Sequence, residues 1–234
     1  MTSAGIDAVT IDFYQTLARH RSGRGRGVRF MEFLAQQGWT SAPWEHQVLY
    51  DVFEGHHLDY RPAERPEAQR HTLATFAGRV FDRLEIAAPA GAADQCAERV
   101  WSILGPESME IYEDVPEALR RLRQAGYPLA IVSNWQCGLA SFVEALGIAP
   151  AFEHIVASAE VGAEKPDRAI FEEASRLLGV PLERLAHVGD SAADDLEGAR
   201  QAGMTALHLQ RDLPRPPRDA PVITSLVEIA DRIV

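Results

Sequence analysis

Lysine is almost missing from this chain of 234 residues. Of its 23 basic residues, 22 are arginine and one, Lys165, is lysine. An ammonium kept where every other cation is a guanidinium is a candidate for close approach to a phosphate or carboxylate, because it is a compact point charge rather than a flat fork. Cysteine is equally scarce. Cys96 and Cys137 provide no disulfide framework, so a reducing cytoplasm is the expected compartment. Positive charge is outnumbered, and a net charge of −11 is a poor match for nucleic acid. No apolar run approaches the ~20 residues of a membrane span. Met1-Thr2-Ser3-Ala4-Gly5 also lacks the basic-then-apolar pattern of a signal peptide, so no membrane partner is expected. Zinc is not expected either, since His46, His56 and His57 have no carboxylate or Cys at ligand spacing. What remains is an ordinary soluble globular composition, 46% apolar and 24% charged, long enough for one large domain or a core carrying an inserted lobe.

The rest of the chain is organised around Ala8-Val9-Thr10-Ile11-Asp12-Phe13-Tyr14-Gln15-Thr16-Leu17. Its first half has the β-branched, apolar composition of a buried strand, and Asp12 falls where that strand ends. Ligands of open α/β sheets bind at the carboxyl ends of the strands. A carboxylate there can attack an electrophile, bind a metal, or do both; it can also simply cap a turn.

Ala18 to Gly27 is a Gly-rich basic loop that predicts no regular element. Helical patterns follow over residues 28–37, from Ser41-Ala42-Pro43-Trp44 onward, over 66–84 and over 92–104. Nothing between 18 and 110 reads as a strand, so this segment is expected to be an all-helical lobe. The rhythm then changes. Helices over 116–124, 139–146, 167–178, 192–202 and 225–233 alternate with strands over 128–132, 154–157, 185–188 and 204–209, and Pro214-Arg215-Pro216-Pro217 is a rigid linker. Alternation of this kind means a parallel sheet covered on both faces. A lone parallel strand cannot stand, so the strand near residues 6–12 must pair with this later group. The fold class is therefore α/β: a core of residues 1–17 and 111–234, with a helical cap of residues 18–110 inserted after the first strand.

Three later features join Asp12. Ser133-Asn134 supplies hydroxyl and amide at a strand end, Glu164-Lys165-Pro166-Asp167 sets the sole lysine just before a helix, and Gly189-Asp190-Ser191-Ala192-Ala193-Asp194-Asp195 places carboxylates around a helix start. Each has a plainer reading; Ser191 with Asp194, for instance, has the spacing of a capping box. Together they form a nucleophile, a hydroxyl, an ammonium and an acidic pair in one order at the ends of parallel strands. Asp12, Asp190 and Asp195 close together repel, which raises their pKa values unless a cation neutralises them, and carboxylate oxygens suit Mg²⁺.

With these residues in hand, the chain resembles the haloacid dehalogenase-like hydrolase superfamily over nearly its whole length. The family's four motifs stand in order as Asp12-Phe13-Tyr14-Gln15-Thr16, Ser133-Asn134, Lys165-Pro166 and Gly189-Asp190 with Asp195. The resemblance implies a Rossmann-like core, with a helical cap inserted between the first and second motifs. It implies Asp12 as nucleophile, Thr16 orienting it, and Ser133 and Lys165 binding the transferring group, with Asn134 beside them. It implies Mg²⁺ held by Asp12, Asp190, Asp195 and the backbone carbonyl of Tyr14, with Asp194 the fallback for Asp195.

The chain departs from its family at Tyr14. Family phosphatases usually carry a second Asp there, the general acid for the leaving group, and a Tyr is typical of the metal-independent 2-haloacid dehalogenase branch. That branch, however, typically has Ser, Asn and Tyr where this chain has Asp190, Ala192 and Phe171. The acidic pair has a direct physical need for a cation, which favours a Mg²⁺-dependent phosphatase acting on a small anionic phosphate ester or acyl phosphate. A 2-haloacid dehalogenase and a non-catalytic binding protein on the same scaffold are the alternatives, as monomer or homodimer. Trp39, Trp44 and Trp101 read as cap core, Trp135 as a candidate to face the cleft, and the Arg19–Arg29 run as a solvated loop or a contact for an anionic substrate.

Overall fold

The computed structural model describes residues 5–23, 26–40, 66–135, 138–213 and 220–233. Among them the strands are β1 (Ala8–Ile11), β2 (Ala18–His20), β3 (Met109–Ile111), β4 (Leu129–Ser133), β5 (His154–Ala157), β6 (Leu185–Gly189), β7 (Thr205–Leu209) and β8 (Val222–Ile223). The helices are α1 (Arg26–Gln36), α2 (Pro66–Arg83), α3 (Ala92–Leu104), α4 (Val115–Gln124), α5 (Leu139–Ala145), α6 (Ser158–Val161), α7 (Arg168–Leu178), α8 (Gly198–Gln201) and α9 (Ile229–Arg232).

Six strands make one parallel sheet in the order β5-β4-β1-β6-β7-β8. The most apolar short runs become its strands because both faces are covered. Val9, Ile11, Leu129, Ile131, Ala186 and Val188 point to one face, where they meet Val115, Leu119 and Leu122 of α4 and Leu139, Phe142 and Val143 of α5. Ala8, Val132, Val156 and Leu185 point to the other, against Ile170, Phe171 and Ala174 of α7 and Ala199 of α8. The pleat alternation of two residues divides each strand between the two cores. β1 is central, with β4 on one side and β6 on the other, so the chain crosses over in opposite directions from it. The carboxyl end of β1 is thus the switch point where ligands of such sheets bind.

The inserted segment builds a core of its own from Phe30, Met31, Leu34, Ala77, Val80, Phe81, Leu84, Cys96 and Ala97, with Trp39 packed edge-on to Phe33 and Phe81. It is not wholly helical, which corrects the expectation. β2 pairs antiparallel with β3 (Ala18↔Ile111, Arg19↔Glu110, His20↔Met109), forming a ribbon where the chain leaves and rejoins the core. Ala18 and His20 are buried and Arg19 faces out, pairing with Glu110 at 3.0 Å. Three residues give too short an alternation to read, and the pairing partner lies some ninety positions away. The same correction applies to the loop over residues 18–27, which contains β2 and the start of α1. The helix anticipated from Ser41, the residues Trp44, His46, His56, His57 and Cys137, the side chain of Trp101 and the Pro214–Pro217 linker lie outside the described residues. Among the described residues no helix is long and apolar enough to cross a membrane.

Candidate active site

Asp12 follows β1 directly, its N–H donating to the Val188 carbonyl at 2.9 Å as though the strand continued one residue further. Its side chain, 6% exposed, receives two donors on Oδ1: the Ser133 hydroxyl at 3.0 Å from the end of β4, and Lys165 Nζ at 2.7 Å. The ammonium reaches also to Oδ1 of Asp195 at 2.5 Å. Asn134 clamps the lysine's backbone, donating to the Lys165 carbonyl at 2.9 Å and accepting its N–H at 2.7 Å. The side-chain amide expected beside the substrate is therefore occupied in holding Lys165. Thr16 differs from expectation as well: its hydroxyl donates to Oδ1 of Asp190 at 3.2 Å, not to Asp12.

The acidic loop is shaped by two devices. A π-helical turn spans Ala192–Glu197, begun by Ser191, whose hydroxyl accepts the Asp194 N–H at 3.1 Å and donates to the Asp194 carboxylate at 3.0 Å. Asp194 thus stays outside as a cap, while Asp195 turns inward and is 1% exposed. Gly189 makes room for it, since a methyl group there would stand 2.1 Å from Asp195 Cγ.

Asp12, Asp190 and Asp195 each offer a carboxylate oxygen within 4.8 Å of the others. Only one ammonium lies among them, and the repulsion expected from the sequence is felt unequally. Burial pushes Asp12 up, outweighing Lys165, with Asp195 adding to the rise. Burial, then the charges of Asp12 and Asp195, push Asp190 up to about 7. Asp195 goes the other way. Burial works to raise it, but Lys165 and His187 hold it well below the usual carboxylate range, which corrects the expectation of a uniform rise. Burial works against the charge on Lys165, and Asp12 and Asp195 more than offset this, raising it above its ordinary value. Three hard oxygen donors with a charge excess of this kind fit a small divalent cation.

Tyr14 is half-buried, with its ring centroid 5.5 Å from His20 and 6.1 Å from Trp135. Trp135 does not face the cleft: it is fully buried, edge-on to Phe13 at 5.2 Å and to Phe142 at 5.3 Å. In the arginine run, Arg19 lies over Tyr112 at 4.8 Å and Arg21 donates to the Glu107 carbonyl at 3.1 Å. Nη1 of Arg29 stands 3.3 Å from His20 Nδ1.

Three residues were missed in the sequence. His187 Nε2 stands 3.0 Å from Asp195 Oδ1, Thr10 Oγ1 stands 2.8 Å from His187 Nδ1, and His208 Nε2 stands 2.9 Å from the Asp190 carbonyl. A signal was present in each strand. A polar side chain inside a run that is buried on both faces must find a partner, and His187 and His208 sit on neighbouring strands beside Gly189-Asp190.

A carboxylate held by a hydroxyl and an ammonium at the switch point of a parallel sheet, with further acids alongside, is the arrangement of a candidate hydrolase site. The chain belongs to the haloacid dehalogenase-like hydrolase family, which its residues 6–203 match. It is 40% identical over 104 residues to the glyceraldehyde 3-phosphate phosphatase of Methanopyrus kandleri, a stretch covering 43% of each chain. It is 32% identical over 185 residues to the phosphoserine phosphatase of Thermus thermophilus, covering 76% of this chain and 72% of that one. The match thus spans less than half the length of the first of these curated relatives. The crystal structure of a 2-haloacid dehalogenase from Pseudomonas syringae pv. Tomato superposes with a TM-score of 0.65 at 25% identity, covering 97% of this chain and 98% of that one.

Proposed function

We propose that this hydrolase is a Mg²⁺-dependent phosphatase of small anionic phosphate esters or acyl phosphates, working in the cytoplasm through an aspartyl-phosphate on Asp12. The observation that carries it is the acidic cluster around a single ammonium, whose Asp190 is pushed up to about 7 by burial and then by the charges of Asp12 and Asp195. Both donors to Asp12 sit on Oδ1, which leaves Oδ2 to attack phosphorus. The new Oδ2–P bond forms as the bond to the leaving oxygen breaks, and that oxygen departs with the electron pair. Water then cleaves the aspartyl-phosphate, giving inorganic phosphate and the free carboxylate. Lys165 and Ser133 turn from Asp12 to the phosphoryl oxygens during transfer, where an ammonium and a hydroxyl are worth most. Asp12, Asp190, Asp195 and the Tyr14 carbonyl would hold the cation, and Asp195 also accepts from Lys165. The bound cation would supply Lewis-acid stabilisation of the charge on the transferring group. Residues 18–110 serve as the cap that selects the substrate, over a core of residues 1–17 and 111–234.

A 2-haloacid dehalogenase is the second reading, favoured by Tyr14 in the family's acid position and by the structural likeness to such an enzyme. A panel of phosphate esters and 2-haloacids, run with and without Mg²⁺, decides between them. Mg²⁺-dependent release of phosphate supports the first reading, and metal-independent halide release supports the second. Covalent trapping on Asp12, lost in Asp12→Asn, separates both from a binding protein; no trapped adduct with any substrate would leave only the scaffold.

A further inference from the structure

Thr10 and His187 are direct partners in the pairing of β1 with β6, and both side chains are fully buried. Oγ1 of Thr10 stands 2.8 Å from His187 Nδ1 and 3.2 Å from the Ala186 carbonyl. On the far side of the ring, Nε2 stands 3.0 Å from Oδ1 of Asp195. An ionised carboxylate only accepts, so Nε2 carries a proton whichever way the Thr10 hydroxyl turns. Phe171 closes another side of the ring edge-on, at 5.2 Å. The remaining Asp195 oxygen, Oδ2, accepts the Ser191 N–H at 2.9 Å, which fixes the carboxylate plane from a third direction. The oxygen that His187 holds is the one that receives Lys165 Nζ at 2.5 Å, and that ammonium meets Asp12 at 2.7 Å. A continuous row of buried hydrogen bonds therefore runs from Thr10 through His187, Asp195 and Lys165 to Asp12.

We propose that His187 is a positioning residue: steadied by Thr10, it directs its Nε2 proton at Asp195 and so sets where the Lys165 ammonium stands against Asp12. The proposal rests on the reading of Asp12 and Lys165 given above. A lysine has four rotatable bonds, and its head goes where its acceptors are. An Asp195 deprived of the His187 donor keeps a buried lone pair without a partner. It then draws the ammonium towards itself and away from the nucleophile. Outer partners that orient a metal-ligating residue, as Asp195 would be, typically matter by about 10–100-fold in metal affinity or activity, although they touch no reacting atom.

The single lysine makes the test direct. This chain of 234 residues, labelled with ¹⁵N only in lysine, gives one Nζ resonance, that of Lys165. His187→Phe keeps a ring for Phe171 to pack on but loses the donor. Its Nζ resonance is expected to shift and broaden, and kcat to fall about 10–100-fold with KM changed far less. His187→Gln returns an N–H to the neighbourhood of Nε2 and should bring the resonance back towards its wild-type position. Thr10→Val keeps the β-branched shape without the hydroxyl and should move the resonance in the same direction as His187→Phe, which also covers the case in which the phenylalanine variant does not fold. A resonance unmoved in the folded variants overturns the proposal, and so does a glutamine variant no nearer wild type than the phenylalanine one. Movement of the resonance in a protein that turns over no phosphate ester supports the positioning role and sinks the phosphatase reading, so the two fail separately.

Discussion

At Asp190, burial together with the charges of Asp12 and Asp195 lifts the carboxyl from 3.8 to about 7. Without a cation, the native chain keeps a proton there between those values that the unfolded chain has released. Stability is therefore fully present below about pH 4 and falls as pH rises through about 7. A divalent cation needs the ionised form, so the Mg²⁺-induced rise in melting temperature should be small at about pH 5.5 and grow towards about pH 8. Asp190→Asn should remove the shift at every pH; a wild-type shift of equal size at both ends contradicts this account. Tyr14 carries a second consequence. A general acid is typically worth about 10²–10⁴-fold, and a phenol is a poor one near neutrality. Acyl and activated aryl phosphates should be preferred over alkyl phosphates, and Tyr14→Asp should help alkyl substrates most. Rates measured against leaving-group pKa for both proteins decide it, and a flat wild-type dependence with chemistry rate-limiting counts against. Asp12, Ser133 and Asp190 could be found in the sequence because each stands at a strand end, where chemistry-bearing residues interrupt an apolar run, and Lys165 because it is the sole lysine. Thr10 and His187 lie inside strands, and which side chain they meet depends on the register of two strands far apart in sequence.

The π-helical turn over Ala192–Glu197 is the element on which the acidic loop depends. Both Asp195 and Leu196 donate their N–H to the Ser191 carbonyl at 3.1 Å, so the turn holds one residue more than an α-helical one. Regular helical spacing gives no reason to prefer Asp195 over Asp194, and this local widening does. It depends on Gly189, where a methyl would meet Asp195 at 2.1 Å. Gly189→Ala should therefore push Asp195 out of its place and lower kcat by about 10-fold or more, while far-ultraviolet circular dichroism stays native. An alanine variant with wild-type turnover would falsify the role given to this close approach. The alternating strands and helices after residue 110 were readable from apolar period, Pro at helix starts and Gly at helix ends. The ribbon of β2 and β3, the two-residue β8 and the four-residue α6 were not, because elements so short leave no period and are held by tertiary pairing alone.

Across the whole molecule, one carboxylate ties segments distant in sequence. Oδ2 of Asp114, just before α4, accepts from Arg211 at 2.8 Å, from the Ser225 hydroxyl at 2.7 Å and from the Leu226 N–H at 2.8 Å. Arg211 in turn donates to the Thr16 carbonyl at 2.8 Å and stacks on Tyr112 at 3.9 Å, so the knot reaches the loop that follows Asp12. Burial works to raise Asp114, but Arg211, Ser225 and Leu226 together hold it below its ordinary value. Its contribution is therefore present above about pH 4 and is lost as pH falls through the lowered value. Asp114→Ala should cost about 1–3 kcal/mol in chemical denaturation at neutral pH, and less in acid; an equal cost at both would show the ionised form to be irrelevant. The central place of β1 has a further consequence, for synthesis rather than catalysis. Val9 pairs with Leu129 and with Ala186, so the strand that leads into Asp12 is translated long before either neighbour exists. At about 5–20 residues per second the wait for β6 is on the order of ten to thirty seconds. Until β4 and then β6 arrive, an apolar strand with bare edges is open to any other chain it meets. The inserted segment, with a hydrophobic core of its own, emerges in that interval, while the sheet has to wait for its last strands.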